Sequence, residues 1–271
     1  MAYTCRLQGM PRGRWGRGSA MKFEEYIKSE ESAVKHCARR PLCPLGAFCG
    51  VEDAEGNVDL FPHILDVSAG DLVWTDARYQ QRIYIIQSGL FECVTNLELE
   101  EEKPFALFGG GYGFGFAELY VDRKVAQTYY FRALTPGRVC SFAGKVVRRR
   151  LEELENSELG RILCCSLLNL SSASFCLTKI LLESLLYDRV AQLLVYLHYL
   201  LVQGGENNDV LCLGHAAIAE ILGIDRASTT RTLHKLENDG LIELGYRSIR
   251  LLEPIHHGPY ADTVRPVFHI P

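Results

Sequence analysis

An α+β fold is predicted, with an N-terminal β-barrel or jelly roll, a long helical section and a C-terminal winged helix-turn-helix. Three observations predict it. Residues 61–142 read as short strands separated by turns, residues 145–203 carry a helical apolar pattern, and residues 213–251 run helix, glycine turn, helix and hairpin. At 271 residues the chain has room for two domains and a sizeable core.

Composition narrows the function classes. A net charge of −4 excludes a bulk polycation, so any nucleic-acid affinity must come from one local surface. Polar residues punctuate even the Leu-rich region, so no uninterrupted apolar stretch reaches membrane length. Residues 1–20 are Arg- and Gly-rich without the apolar centre of a secretory signal. A cytoplasmic location is therefore expected, and the ten cysteines read as thiols, metal ligands or redox groups rather than a disulfide framework. No nucleophile–base spacing, dinucleotide fingerprint or metallohydrolase motif is present, which argues against an enzyme.

Four regions follow in chain order: an arm (1–36), a Cys loop and roll (37–144), a helical dimerisation region (145–203), and a winged domain with its tail (204–271). In the arm, Gly9, Gly13, Gly16 and Gly18 alternate with Arg12, Arg14 and Arg17. This is either a basic DNA-contacting arm, a remnant of expression, or sequence upstream of a start at Met21. Met21–Lys35 reads as a short charged helix. In HCARRPLCPLGAFCGV, five residues separate Cys37 from Cys43 and Cys43 from Cys49, while Pro41, Pro44 and Gly46 impose a loop. Thiolates on such a loop can converge on one metal centre.

Strands are expected at 71–75, 82–86, 90–95, 128–133 and 139–142. The run FGGGYGFGFAEL at 108–119 suits sharp strand bends, with a phosphate cradle as the alternative. Beyond the roll, Leu151, Leu154, Leu159, Leu163, Leu167, Leu168 and Leu170 form an apolar stripe, and Leu181–Leu201 is apolar almost all round. A dimer helix is expected between Leu151 and Leu186, with Cys164, Cys165 and Cys176 as small core residues. Gly204–Asp209 reads as a linker, and the tail after Pro254 shows no periodicity.

Ile218, Ile221 and Leu222 then give a short helix one face, and Gly223 ends it. Asp225 is a natural N-cap for the next helix, Leu233 and Leu236 its apolar side, and Gly240 its end. Leu241–Leu244, the turn Gly245–Ser248 and Ile249–Leu251 complete a wing. Arg226, Ser228, Thr230 and Arg231 crowd the N-terminal half of the second helix, and Lys235 follows one turn on. Short polar groups and arginines there suit base edges and phosphates in a DNA major groove. The competing reading is a helical hairpin that contacts protein.

With this order in view, residues 60–253 resemble the Crp/Fnr family of bacterial transcription regulators, whose roll is cyclic-nucleotide-binding-like. GDLVWTDARYQQRIYIIQSGLFECV resembles the early roll strands, Tyr187–Ala191 the start of the helix entering the DNA-binding domain, and GIDRASTTRTLHKLENDGLI the recognition segment. The resemblance implies a homodimer on a near-palindromic double-stranded operator, with RNA polymerase as a further partner. Ala227 stands where the family often carries Glu, so the resemblance does not carry over the family's usual operator half-site. The cyclic-nucleotide branch carries an Arg-Ser pair for the phosphate; here the chain reads Arg123-Lys-Val-Ala-Gln127, which argues against cyclic AMP.

The oxygen-sensing branch instead binds a [4Fe–4S] cluster through three cysteines before the roll and one inside it. Cys43-x5-Cys49 matches its last N-terminal spacing, and Cys140 falls where its roll cysteine lies. Cys37-x5-Cys43 is wider than that branch has at this place, which leaves Cys93 as an alternative to Cys37. The resemblance thus implies Cys37, Cys43, Cys49 and Cys140 as ligands. A thiol–disulfide or haem switch, or a small organic effector in the roll, are the other sensor readings.

Overall fold

The computed structural model describes residues 37, 43–51, 60–73, 82–95, 104–116, 119, 129–154, 156–205, 209–257 and 259–260. The basic arm, the helix expected at 21–35, and the segment with Glu118 and Arg123–Gln127 lie outside the described residues.

Among the described residues the roll has eight strands: β1 (His63–Val67), β2 (Leu72–Val73), β3 (Arg82–Ser88), β4 (Phe91–Thr95), β5 (Pro104–Phe108), β6 (Gly113–Phe114), β7 (Tyr129–Ala133) and β8 (Gly137–Ala143). They form two antiparallel sheets, ordered β1-β8-β3-β6 and β2-β7-β4-β5. Residues 83–86 of β3 are all buried because both faces of this sheet are covered, so the strand reads as a continuous apolar run. Tyr84 and Ile86 face the other sheet, joining Phe91, Cys93, Phe108, Phe114, Phe131 and Val139. Ile83 and Ile85 face outward with Phe142, against Leu45, Leu60, Val147, Leu151 and Ile162.

The glycine run serves strand bends and a close approach. Gly115 has φ +94°, and a Cβ there would stand 2.5 Å from the Arg82 carbonyl oxygen. A Cβ on Gly109 would stand 2.3 Å from the carbonyl oxygen of Leu200, in a helix beyond the roll.

That helical region comprises α1 (Gly144–Glu152), α2 (Asn156–Leu181) and α3 (Leu186–Gln203). The expected helix between Leu151 and Leu186 is therefore interrupted after Glu152 and again after Leu181. At the second break the Glu183 carboxylate accepts from the backbone N–H of Ser184 (2.8 Å) and of Leu185 (3.4 Å), satisfying donors ahead of α3. Arg189 Nε donates to the Glu183 carbonyl at 3.0 Å and fixes the corner. These contacts hold Glu183 below the usual carboxylate range.

Helix α2 packs along β5 and buries Ala173, Cys176, Leu177 and Ile180. Its other side exposes Leu167 (64%), Leu168 and Phe175 (56%). Cys176 is a core residue as expected, but Cys164 is exposed and Cys165 only half-buried. Those two do not belong to the core of one chain. Despite its Ser and Asn residues, Gly160–Leu181 is long and apolar enough to cross a membrane by length and composition alone.

Helix α3 is almost wholly buried from Val190 to Leu197, and its core is continuous with the C-terminal domain. That domain comprises β9 (Val210–Leu211), α4 (His215–Leu222), α5 (Arg226–Asn238), β10 (Ile242–Gly245), β11 (Ser248–Leu251) and α6 (Glu253–His257). Its sheet runs β10-β11-β9. Contrary to the expectation for the tail, α6 seals the core with Ile255.

Candidate DNA interface and thiol site

The second helix of the pair, α5, is set by its ends. Gly223 adopts φ 63°, ψ 37°, the left-handed conformation that stops α4. Two residues later the Asp225 carboxylate accepts the Ser228 backbone N–H at 2.8 Å, capping α5. Thr229, Leu233 and Leu236 turn inward, so Arg226, Arg231 and Lys235 are exposed. Arg231 Nη2 donates to Ser228 Oγ at 2.8 Å, which orients the guanidinium along the helix surface.

Two expected contacts are more constrained. Thr230 is half-buried, with its hydroxyl 3.1 Å from Nδ1 of His215 at the start of α4. Lys235 places its ammonium 4.8 Å from the ring centroid of Tyr187 on α3, whose hydroxyl donates to Asp239 at 2.7 Å. His215 is held below the usual histidine range by burial, His234 and Arg226, with Glu237 opposing. The wing adds a residue not singled out from sequence: Tyr246 is 94% exposed, beside Arg247 at φ 52°. The Gly-Tyr-Arg-Ser turn was the available signal.

One guanidinium joins the roll to this domain. Arg132 on β7 donates through Nε to the buried Glu92 of β4 at 2.5 Å and through Nη2 to Glu220 of α4 at 3.0 Å.

The thiols meet at the outer face of the first sheet. Cys140 pairs with Ile64 and Ile85 and shares their face, away from the roll interior. The loop carrying Cys43 and Cys49 covers that face, anchored by the buried Leu45. Burial, then the neighbouring Cys43, Cys37 and Cys49, push the Cys140 thiol up to about 12. Cys43 is pushed up to about 11 by burial, eased by a backbone hydrogen bond at Leu45 and reinforced by Cys37. Gln87 Nε2 lies 3.8 Å from Cys37 Sγ, a donor the sequence reading missed. Cys93 is buried on β4 between Ala106 and Phe131, in the other core. It does not join these four.

Whether the four thiols fit an iron–sulfur cluster turns on chemistry and spread. None of the four is in a disulfide, Cys43, Cys49 and Cys140 pack against one apolar cluster, and burial with neighbouring cysteines raises the Cys140 and Cys43 thiols, a cost that cationic iron would relieve. Among the described residues the one group of three or more such side chains whose donor atoms all lie within 4.8 Å of one another is His198, Asp209 and His256. No three of the four thiols meet that distance, so they are not gathered closely enough for a single ion. The donor set fits.

Comparison with known proteins is consistent with this layout. Residues 188–255 match the Crp-like helix-turn-helix domain. The global nitrogen regulator of Nostoc sp. is 27% identical over 182 residues, covering 65% of this chain and 78% of that one. The structure of FixK2 from Bradyrhizobium japonicum superposes with a TM-score of 0.55 at 15% identity, over 72% of this chain and 96% of that chain. A CRP-family transcriptional regulator from Thermus thermophilus gives 0.52 at 18% identity, over 71% and 94%. Residues 188–255 are thus a Crp-like helix-turn-helix domain, and the roll, helices and wing together share the fold of CRP-family transcriptional regulators.

Proposed function

We propose that this regulator is a cytoplasmic homodimer that senses oxygen or redox state through a [4Fe–4S] cluster held by Cys37, Cys43, Cys49 and Cys140. The observation that carries the reading is that Cys37, Cys43 and Cys49 neighbour Cys140 on the outer side of the first sheet, while Cys93 belongs to the other core. When bound, such a cluster supplies oxygen-labile iron–sulfur bonds to four thiolates.

The protein's part is mechanical. Leu45 of the Cys loop shares an apolar cluster with Val147 and Leu151 of α1 and Ile162 of α2. Tethering the loop at Cys43, Cys49 and Cys140 holds that cluster together, and releasing it loosens the base of α2. The exposed face of α2, with Leu167, Leu168 and Phe175, is assigned to the second copy, so loop packing biases the spacing of the two α5 helices. Arg226 and Arg231 are the base or phosphate readers, Ser228 orients Arg231, Thr230 acts through His215, and Lys235 takes phosphate.

Against an organic effector in the roll stands its interior, where Phe114 stacks on Phe131 at 3.7 Å and on Tyr84 at 5.2 Å between ring centroids. These rings occupy space between the sheets that an effector would need.

The test is iron and acid-labile sulfide in wild type, Cys43→Ser and Cys140→Ser, each reconstituted without oxygen. Wild type should be brown, with a broad band near ~400 nm, and both variants should lose the cluster. Full clusters in both variants would sink the reading.

A further inference from the structure

The family reading leaves unused a second donor group, far from the thiols. His198 lies in the last turns of α3, Asp209 immediately precedes β9, and His256 lies in α6. One donor atom from each lies within 4.8 Å of the other two. His198 Nε2 is 3.2 Å from Asp209 Oδ1, and the His198 and His256 ring centroids are 4.5 Å apart. Nε2 of His256 is buried without a hydrogen-bond partner among the described residues. A buried imidazole nitrogen left this way forfeits its hydration, which a ligand would restore.

The geometry points to a transition-metal site, suited to Zn2+, in which His198, Asp209 and His256 clasp the C-terminal helix to the end of α3. Two imidazoles and a carboxylate are borderline donors that favour zinc, cobalt or nickel over magnesium or calcium. Tetrahedral zinc holds nitrogen and oxygen at roughly 2.0–2.2 Å, so its ligands stand little farther apart than His198 and Asp209 already do. Asp209 is 68% exposed, which leaves the fourth position to water. The adjacent His257 and Glu253 pair with each other at 2.7 Å and do not occupy the trio.

The site would staple α3, the start of β9 and α6, adding a metal to the His198–Asp209 contact. Asp209 already accepts the Leu251 backbone N–H through its carbonyl at 2.9 Å, so a metal there also fixes the β9–β11 edge. Loading would stiffen the seat of the winged domain without touching α5.

The experiment uses the full chain carrying Cys43→Ser and Cys140→Ser, so that it is independent of the cluster reading. Zn2+ is titrated against a chromophoric chelator, and Co2+ spectra report the donors. One equivalent should bind, with a Co2+ spectrum free of thiolate charge-transfer bands and a raised Tm. Adding His256→Gln should weaken Zn2+ binding at least about 100-fold, the upper range for losing a mere supporting partner. Asp209→Asn, at an exposed position, should do the same and decides the matter if His256→Gln fails to fold. Zn2+ affinity and Tm shift unchanged in Asp209→Asn, or thiolate bands in the Co2+ spectrum, would overturn the assignment.

Discussion

Replacing Gly109 with alanine tests how closely the roll is seated on α3. The added Cβ would meet Leu200 at 2.3 Å from its carbonyl oxygen, 2.8 Å from its carbonyl carbon and 3.1 Å from its Cβ. An ordinary contact needs about 1 Å more than the shortest of these. Two of the three atoms are backbone, and α3 is packed on several sides, so neither partner can swing away. Gly109 has no left-handed φ, so the whole penalty is steric. Overpacking of this kind costs about 1–3 kcal/mol, or a Tm lower by roughly 2–10 °C for a chain of this size. Gly160, in α2, is the control: a Cβ there meets nothing within 4 Å. Removing a helical glycine should stabilise by about 0.5–1 kcal/mol. Thermal unfolding by circular dichroism should therefore move in opposite directions for Gly109→Ala and Gly160→Ala. A Gly109→Ala protein as stable as the parent would refute the close seating.

Arg231→Ala should weaken operator binding by about 1–3 kcal/mol and relax one position, whereas Lys235→Ala should weaken all sequences alike and lower the salt slope; equal behaviour in mobility-shift titrations would remove the distinction. Arg132→Met removes the guanidinium that balances the buried Glu92 carboxylate, so it should cost about 3–5 kcal/mol in chemical denaturation and be largely relieved by adding Glu92→Gln. Phe175→Glu on the exposed face of α2 should sediment as a monomer, and an unchanged dimer would place the interface elsewhere. His215 has a folded pKa below its unfolded value, so its contribution is complete above about pH 6.5 and is lost as pH falls from there toward the depressed folded value. Tm should drop between pH 7 and pH 5, less so in His215→Gln; parallel slopes would discount His215.

The winged domain was legible because its punctuation is chemical and local. Gly223, Asp225 and Gly240 each dictate a backbone event within one or two residues, and α4, α5 and the hairpin fall where those residues require. The break between α2 and α3 was not legible, since Leu, Glu and Ser at 182–185 all tolerate a helix. It depends on Glu183 folding back onto the next two N–H groups and on Arg189 reaching its carbonyl. Local spacing identified Cys43 and Cys49, but separating Cys140 from Cys93 needed the strand register, which decides the face each thiol occupies. The exposure of Cys164 was hidden because an apolar stripe reads alike whether it meets its own core or another chain.

The Arg132 bridge sets a limit on what it can transmit. Its bond to Glu92 stays within the roll, whereas the bond to Glu220, whose side chain is 57% exposed, breaks if α4 moves. Such a pair is worth about 0–1 kcal/mol. By reciprocity, whatever the sensor does to operator affinity through this contact the operator does back to the sensor, by the same factor. That factor is at most about fivefold, so any larger response must travel by another route, such as the close packing of the roll on α3.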